Sequence, residues 1–264
     1  MLSAATRPPL ASRAASAISR RPVPTRSTRV PALANPIFCA IDRPDREGAV
    51  ALARDLAGVI GGVKLGLEFF TAQGPDGVRA VAAAGLPVFL DLKLHDIPNT
   101  VAGAVRAAAG LGVRYLTLHA SGGPAMLEAA ADAAAAASDP PRLLAITVLT
   151  SLDREDLARV GVRSDVLDQT LLLASLALSC GIDGVVCSPL EVAHLRSALG
   201  SDALIAVPGI RPAGAETDDQ KRFMTPAQAL AAGADLLVVG RPITGEPEPV
   251  AAARKLLASL REAV

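Results

Sequence analysis

Lysines are few in this chain, and two of them lie where a charge is costly. The sequence holds 22 arginines but only four lysines, Lys64, Lys93, Lys221 and Lys255. Arginine supplies most of the positive charge, so a lysine is not needed merely as a surface charge. Lys64 and Lys93 both lie in apolar stretches, where a charge is unfavourable unless it is paired. An ammonium group can give up its proton when its surroundings favour the neutral amine, whereas a guanidinium group effectively cannot. These two lysines therefore suggest proton-transfer chemistry.

Two aspartates accompany Lys93 in the sequence. Asp91 and Lys93 are two residues apart in a predicted strand, so their side chains should lie on one face. Asp96 follows where the next helix opens, and its simplest structural role would be an N-cap with Pro98 just inside the helix. One such residue alone is more often structural. Four of them, with Lys64 as the fourth, favour a charge network at a functional site.

Short apolar runs alternate with alanine-rich stretches of helical period from residue 36 onward. The predicted strands cover 37–41, 62–66, 87–92, 114–118, 143–149, 183–187, 203–207 and 235–239. The predicted helices lie near 46–60, 75–84, 99–111, 123–137, 165–180, 189–199, 226–232 and 248–262. Strands that are apolar on both faces are typical of a parallel sheet. Eight such repeats predict an α/β fold of one (β/α)8 TIM barrel. No GxGxxG motif follows the first strand, which counts against a dinucleotide-binding sheet.

A barrel of this kind carries its chemistry at the C-terminal ends of its strands. The polar residues predicted at those ends are Asp42, Lys64, Asp91, Lys93, His119, Thr150, Ser151, Ser188, Arg211 and Arg241. The seventh strand instead ends in Pro208 and Gly209. Arg241 follows Gly240 at the end of the eighth strand, where barrels often bind phosphate. The connection 209–224 is longer than a usual strand-to-helix loop, which predicts a lid over a ligand.

Composition argues against several classes of partner. The formal net charge is zero, so there is no electrostatic argument for nucleic acid or for an anionic membrane. Aromatic residues make up only 2% of the chain, which disfavours base-stacking platforms. No apolar stretch reaches the ~20 residues that a membrane-spanning helix needs. We therefore expect a small-molecule substrate, with no nucleic acid and no membrane.

Cysteine and histidine usage gives no sign of a metal site. The three cysteines lack CxxC spacing, which favours buried small hydrophobic side chains in a reducing compartment; they are Cys39, Cys180 and Cys187. The three histidines lack ligand spacing; they are His95, His119 and His194. We expect structural roles for His95 and His119 and a surface position for His194.

The first 33 residues differ from the rest of the chain. They contain six arginines and no acidic residue, together with many Ala, Ser and Pro residues. This composition is typical of an organellar transit peptide, and it fits a non-structural extension equally well. We expect segment 1–33 to be disordered or cleaved and 34–264 to form the catalytic barrel.

A family resemblance rests on segment 91–100, Asp-Leu-Lys-Leu-His-Asp-Ile-Pro-Asn-Thr. It resembles the DxKxxDI signature of bacterial orotidine 5'-phosphate decarboxylases. Further segments match in order and spacing, and they begin at Lys64, Leu118, Thr147, Asp183, Pro208 and Val239. DxKxxD is shared with sugar-phosphate enzymes, but Pro-Gly-Ile-Arg at 208–211 with Asp-Gln at 219–220 makes the resemblance specific. It covers about residues 36–260.

The resemblance implies a reaction and a role for each charged residue. Lys93 would protonate C6 of the pyrimidine as carbon dioxide leaves, with Asp91 beside the substrate carboxylate. Lys64 and Asp96 would complete the row. Asp96 and Thr100 would reach in from the second subunit of a homodimer. The family also implies a cytoplasmic enzyme of UMP biosynthesis that needs neither cofactor nor metal, or an organellar one if 1–33 is a transit peptide.

The resemblance also implies how the nucleotide is bound. Gln220 and Arg241 would bind the phosphate, and Asp42 the ribose hydroxyls. Thr150 and Ser151 would face the base or the ribose. The remaining residues expected around the substrate are Lys64, Pro208, Arg211 and Gly240.

Two alternatives stay open from the sequence. The first is a magnesium-dependent sugar-phosphate decarboxylase or synthase of the same barrel superfamily. The second is a catalytically silent barrel that binds a nucleotide. Two segments, 95–100 and 208–220, count against the sugar-phosphate enzyme. The silent barrel is disfavoured because all four charged residues are intact, namely Lys64, Asp91, Lys93 and Asp96.

Overall fold

Eight parallel strands close into a barrel in the structure, a computed structural model that describes residues 35–212 and 224–261. The strands are β1 (Ile37–Ile41), β2 (Gly62–Leu65), β3 (Val88–Leu94), β4 (Tyr115–His119), β5 (Arg142–Ile146), β6 (Gly184–Val186), β7 (Leu204–Val207) and β8 (Leu236–Val239). Each strand pairs with the next, and β1 pairs with β8 through Cys39 and Val239. The predicted (β/α)8 barrel is confirmed.

Helices follow the strands and cover the outside of the barrel. They are α1 (Arg46–Leu56), α2 (Leu67–Ala82), α3 (Pro98–Ala109), α4 (Pro124–Ala135), α5 (Arg154–Arg159), α6 (Val166–Ser179), α7 (Val192–Leu199), α8 (Pro226–Ala231), α9 (Arg241–Thr244) and α10 (Pro249–Arg261). Side-chain caps fix several starts; the Asp45 carboxylate, for example, accepts from Gly48 N at 2.6 Å. For these capped helices, the sequence thus specifies where the helix begins.

The hydrophobic core has two layers separated by the sheet. Residues of the outer layer lie between strands and helices. The inner layer fills the barrel itself and is built around three aromatic rings in edge-to-face contact, those of Phe38, Phe89 and Tyr115. A Cβ on Gly62 would lie 2.2 Å from the Phe38 ring, so a residue without a side chain is required there. This floor closes the bottom of the barrel and leaves its C-terminal mouth for the site.

Four elements differ from the sequence predictions, and one of them is α9 (Arg241–Thr244), where no helix was predicted. Helix α2 begins at Leu67, eight residues before the predicted start, and it runs through a kink at Gly74, whose φ is +59°. Pro75 follows the kink as the first residue of a fresh helical turn, which is where the prediction began. Strand β5 ends at Ile146 instead of 149, and α5 occupies a segment for which no helix was predicted.

Two predictions lie wholly or partly outside the described residues. Segment 1–33 is one of them, so the proposed division of the chain at residue 34 stays a prediction. The lid over 209–224 is the other, since 213–223 are not described. Within 35–212 and 224–261, no helix has the length and apolar character needed to cross a membrane.

Candidate active site

A cavity of about 330 Å³ opens at the C-terminal mouth of the barrel. The predicted site residues that line it are Asp42, Lys64, Asp91, Lys93, Thr150, Pro208, Arg211, Gly240 and Arg241. Its other walls are mostly apolar and come from Ala40, Phe89, Ile146, Val148, Leu149, Val186, Cys187, Ile210, Val238 and Pro242. A pocket of this size, apolar with a few convergent charges, suits a small ligand that has both polar and apolar parts.

Four charged side chains alternate in sign along one side of the cavity. Lys93 Nζ lies 2.7 Å from Asp91 Oδ2, and Lys64 Nζ lies 3.7 Å from the same oxygen. Lys64 Nζ also lies 3.4 Å from Asp42 Oδ1, which extends the row to the end of β1. The side chains of Lys64 and Asp91 are each 13% exposed, so their charges act in surroundings with little water. A Cβ on Gly66 would come within 3.1 Å of Lys64 Nζ, so glycine leaves the lysine its space.

A bulge in β3 brings Lys93 into this row. Leu90 pairs with Leu116 and Leu94 pairs with Leu118, so three residues of β3 stand opposite one residue of β4. Lys93 adopts φ +51°, a left-handed conformation that non-glycine residues rarely take. Asp91 and Lys93 are in contact, as strand alternation predicted. Both lie in the stretch where the pairing between β3 and β4 is interrupted.

Thr117, the residue opposite the bulge, connects its two ends. Its Oγ1 accepts a hydrogen bond from Lys93 N at 2.9 Å and donates one to Asp91 Oδ1 at 2.9 Å. The side chain is fully buried. Sequence reasoning missed Thr117, and the only signal would have been a threonine in the middle of an otherwise apolar strand.

Asp96 and Thr100 lie outside the cavity of their own chain. Both residues are exposed at the start of α3, and no ion pair joins Asp96 to Lys64 or Lys93 among the described residues. Asp96 is not the N-cap: Ile97 takes that position, and the Asp96 carboxylate accepts from Ile97 N at 2.7 Å. Of the predicted row, the chain by itself therefore assembles Lys64, Asp91 and Lys93.

The opposite rim of the cavity carries the predicted phosphate side. Arg241 begins the short helix α9 directly after Gly240, and Arg211 is buried beside Pro208 and Gly209. Gln220 lies outside the described residues. Both arginines have further contacts within the protein. The rim thus places two guanidinium groups at the ends of β7 and β8, on the other side of the barrel from β3 with Asp91 and Lys93; Asp42 ends β1, which neighbours β8.

Thr150 and Ser151 have different surroundings. Thr150 lines the cavity, whereas Ser151 lies in an exposed turn and is not part of the lining. Because β5 ends at Ile146, the chain has already left the barrel by residue 151. The predicted contact of Ser151 with a ligand stays a prediction.

Two histidines stack beside the charged row. The rings of His95 and His119 have their centroids 5.4 Å apart. Burial lowers the pKa of His119 from its ordinary value, and the neighbouring His95 and Lys93 lower it further. Burial and these neighbours therefore disfavour a positive charge on His119.

All three cysteines are buried free thiols. Burial raises the pKa of Cys39 to about 12, and it also raises the pKa of Cys187, which lines the cavity. Neither thiol is therefore an activated nucleophile. No cluster of three or more His, Cys, Asp or Glu side chains suited to a metal ion occurs in the described part of the chain.

Comparisons with known proteins agree on one family. A sequence model of the orotidine 5'-phosphate decarboxylase / HUMPS family matches residues 35–256. The chain is 52% identical to orotidine 5'-phosphate decarboxylase from Paramagnetospirillum magneticum, over 86% of this chain and 98% of that protein. It is 53% identical to the enzyme of the same name from Moorella thermoacetica, over 85% and 91% of the two chains.

A solved structure gives the same result. The crystal structure of orotidine 5'-phosphate decarboxylase from Lactobacillus acidophilus superposes with a TM-score of 0.76 at 38% identity, covering 86% of this chain and 99% of that one. The family match spans all eight strands of the barrel. The chain belongs to the orotidine 5'-phosphate decarboxylase / HUMPS family.

Proposed function

We propose that this protein is a carboxy-lyase that converts orotidine 5'-monophosphate to uridine 5'-monophosphate and carbon dioxide, the last step of UMP synthesis. One observation carries the proposal: the Lys93 ammonium lies 2.7 Å from the Asp91 carboxylate on the wall of a cavity with an apolar floor. The relatives named above support it, since they carry this activity in their names.

The charged row suits a reaction that leaves a carbanion. When the bond between C6 and the carboxylate breaks, carbon dioxide leaves and the electron pair stays on C6. We propose that the Lys93 ammonium stabilises this charge and then transfers its proton to C6, becoming a neutral amine that regains a proton from solvent. An ammonium already in place stabilises the developing charge more than it stabilises the substrate, whose charge lies one atom further out.

Asp91 would hold Lys93 in place and keep Lys64 beside it. Asp91 Oδ2 lies within 3.7 Å of both ammonium groups, so the aspartate holds the two lysines on the same side of the cavity. Asp42 holds Lys64 from the other side and would accept hydrogen bonds from the ribose hydroxyls. The roles of these residues are proposals drawn from their positions.

The far rim would bind the phosphate. Arg241 opens α9 at the end of β8, and a guanidinium group binds phosphate through paired hydrogen bonds. We assign Gln220 to the phosphate as well, on the resemblance alone. Thr150, Pro208, Arg211 and Gly240 would surround the base and ribose. Binding energy from the remote phosphate would hold the pyrimidine against Lys93.

We further propose a homodimer whose subunits complete each other's sites. Ile97 is 68% exposed and Leu67 is 53% exposed, and both follow strands that carry the charged row. A second copy packed over them would bury this apolar surface and could bring Asp96 and Thr100 to its partner's cavity.

Mixed dimers test the shared site. Lys93→Met and Asp96→Asn variants should each be nearly inactive. After they are unfolded together and refolded, about a quarter of wild-type activity should return, because half the dimers are mixed and each has one intact site. No recovery in a mixture shown to contain mixed dimers would mean that Asp96 does not act across the interface.

The reaction is tested by mixing the purified protein with orotidine 5'-monophosphate in excess EDTA and following the loss of ultraviolet absorbance. Conversion to uridine 5'-monophosphate supports the proposal and the expectation that no metal is needed. Activity that appears only with magnesium, and with a sugar phosphate, would favour the first alternative. Tight product binding without turnover would favour the silent barrel.

The place of the reaction in the cell stays a prediction. The relatives named above come from bacteria, which supports a cytoplasmic enzyme. An organellar location would depend on segment 1–33, outside the described residues. Fractionation of cells that produce the full chain tests this.

A further inference from the structure

We infer that Thr117 is a positioning residue for the reaction, because its hydroxyl sets the place of Lys93 through Asp91 and through the main chain of the bulge. This inference rests on the proposed function. Thr117 touches neither the cavity nor, by its burial, any ligand within it. Whatever it contributes, it contributes through the two residues that it contacts.

The directions of its two hydrogen bonds are fixed by chemistry. Lys93 N can only donate, so Thr117 Oγ1 accepts from it at 2.9 Å. An ionised carboxylate can only accept, so the single hydroxyl proton points to Asp91 Oδ1 at 2.9 Å. The two hydrogen bonds therefore form a relay in which the Lys93 amide donates to the Thr117 hydroxyl and the hydroxyl donates to the Asp91 carboxylate. Only a side chain that both donates and accepts can make both of these hydrogen bonds.

The relay and the ion pair share one carboxylate. Thr117 holds Oδ1 of Asp91, which leaves Oδ2 to face Lys93 Nζ at 2.7 Å and Lys64 Nζ at 3.7 Å. Oδ1 of Asp91 thus accepts from Thr117, while Oδ2 contacts the two lysines that line the cavity. Without the hydroxyl, its plane could rotate and the lysine would lose its fixed partner.

The same hydroxyl supports the unusual backbone of Lys93. Between the pairs Leu90–Leu116 and Leu94–Leu118 the ladder is interrupted, and the threonine hydroxyl accepts the amide of the residue with φ +51°. A left-handed conformation is unfavourable for a lysine, and this hydrogen bond helps to hold it. Threonine is also stiff at χ1, which keeps Oγ1 between its two partners.

Thr117→Val tests the inference, because valine has nearly the same shape and no hydroxyl. We expect kcat to fall about 10- to 100-fold, the range for losing a buried hydrogen bond to a charged group, with KM changing less than about threefold. Thr117→Ser should recover most of kcat. If Thr117→Val does not fold, Thr117→Ala replaces it, with the same expected loss.

Thr147→Val is the matched control. Thr147 is also buried, and its Oγ1 donates to Val186 O at 2.9 Å, but it contacts neither Asp91 nor Lys93. It should lose stability without a comparable loss of kcat. If Thr117→Val keeps kcat within about threefold of wild type, or if the control falls equally, the inference is overturned.

Crystal structures separate this inference from the proposed function. In Thr117→Val we expect Lys93 Nζ to leave Asp91 Oδ2, now 2.7 Å away. If the wild-type chain shows no turnover, the proposed function fails, and these structures alone decide the role of Thr117. A retained contact in the variant overturns it, and a broken contact supports it.

Discussion

Replacing Lys93 by methionine removes the ammonium while keeping most of the side-chain length. Lys93 Nζ lies 2.7 Å from Asp91 Oδ2, and its side chain is 30% exposed. If the charge that develops on C6 lies equally close, Coulomb's law with an effective dielectric constant of ~20 gives about 6 kcal/mol. At ~1.4 kcal/mol for each power of ten, kcat should fall by about four powers of ten.

The assay measures kcat and KM from the loss of ultraviolet absorbance of orotidine 5'-monophosphate. Lys255→Met is the matched control, since Lys255 is exposed on α10 and should be replaced without loss. Lys93→Arg separates two contributions, because arginine keeps the charge but cannot release its proton. We expect Lys93→Arg to be as inactive as Lys93→Met if proton transfer to C6 is required.

A small effect would refute this reasoning. If folded Lys93→Met kept kcat within about tenfold of wild type, the ammonium could not supply the stabilisation calculated from its position. Thermal unfolding of each variant shows whether a loss of activity comes from a loss of fold. Affinity for uridine 5'-monophosphate should stay similar, since the product carries no developing charge.

Four other predictions address binding, stability and pH. Arg241→Met should lower kcat/KM by about two powers of ten through lost phosphate binding, and an unchanged value would remove Arg241 from that role. Thr170→Val should raise the free energy of unfolding in urea by about 1 kcal/mol, because the buried Thr170 hydroxyl has no hydrogen-bond partner among the described residues. Burial raises the pKa of Cys39 to about 12 and also raises that of Cys187, so as pH rises the unfolded chain loses these protons before the folded chain does. The free energy of unfolding in urea should therefore decline as pH rises above about 9. Burial lowers the pKa of His119, so the unfolded chain takes up this proton first as pH falls below about 6.5; an NMR titration of the folded protein should find the pKa below that value.

The alternation of strands with the longer helices could be predicted from the sequence because the strands are mostly apolar and several helices end close to a glycine. Gly85, Gly112, Gly181, Gly200 and Gly233 each follow the end of a helix, and all five adopt positive φ. Strand ends carry their polar residues to one mouth by the geometry of the barrel. For this reason Lys64, Asp91 and Lys93 could be placed together without any knowledge of side-chain contacts.

Other features depend on contacts that strand and helix periods do not encode. Period-two alternation assumes a regular ladder, so it could not predict that β3 carries a bulge opposite Thr117. The start of α2 at Leu67 was hidden because Gly74 and Pro75 interrupt the helical pattern. Ser151 was expected at the mouth because β5 was predicted three residues too long. In each case a local irregularity changed where a side chain lies.

The bulge connects the fold to the proposed chemistry. The ladder is regular up to Leu90 and pairs again at Leu94, so the irregular stretch is fixed at both ends by a sheet that is packed on both faces. Within it, the Lys93 backbone and the Asp91 carboxylate are held by one buried hydroxyl. The ammonium therefore has a fixed position within the chain itself. Under the proposed mechanism, it would need no rearrangement when charge develops on C6. A lysine on a flexible loop would have to be ordered during the reaction, and that cost would raise the barrier.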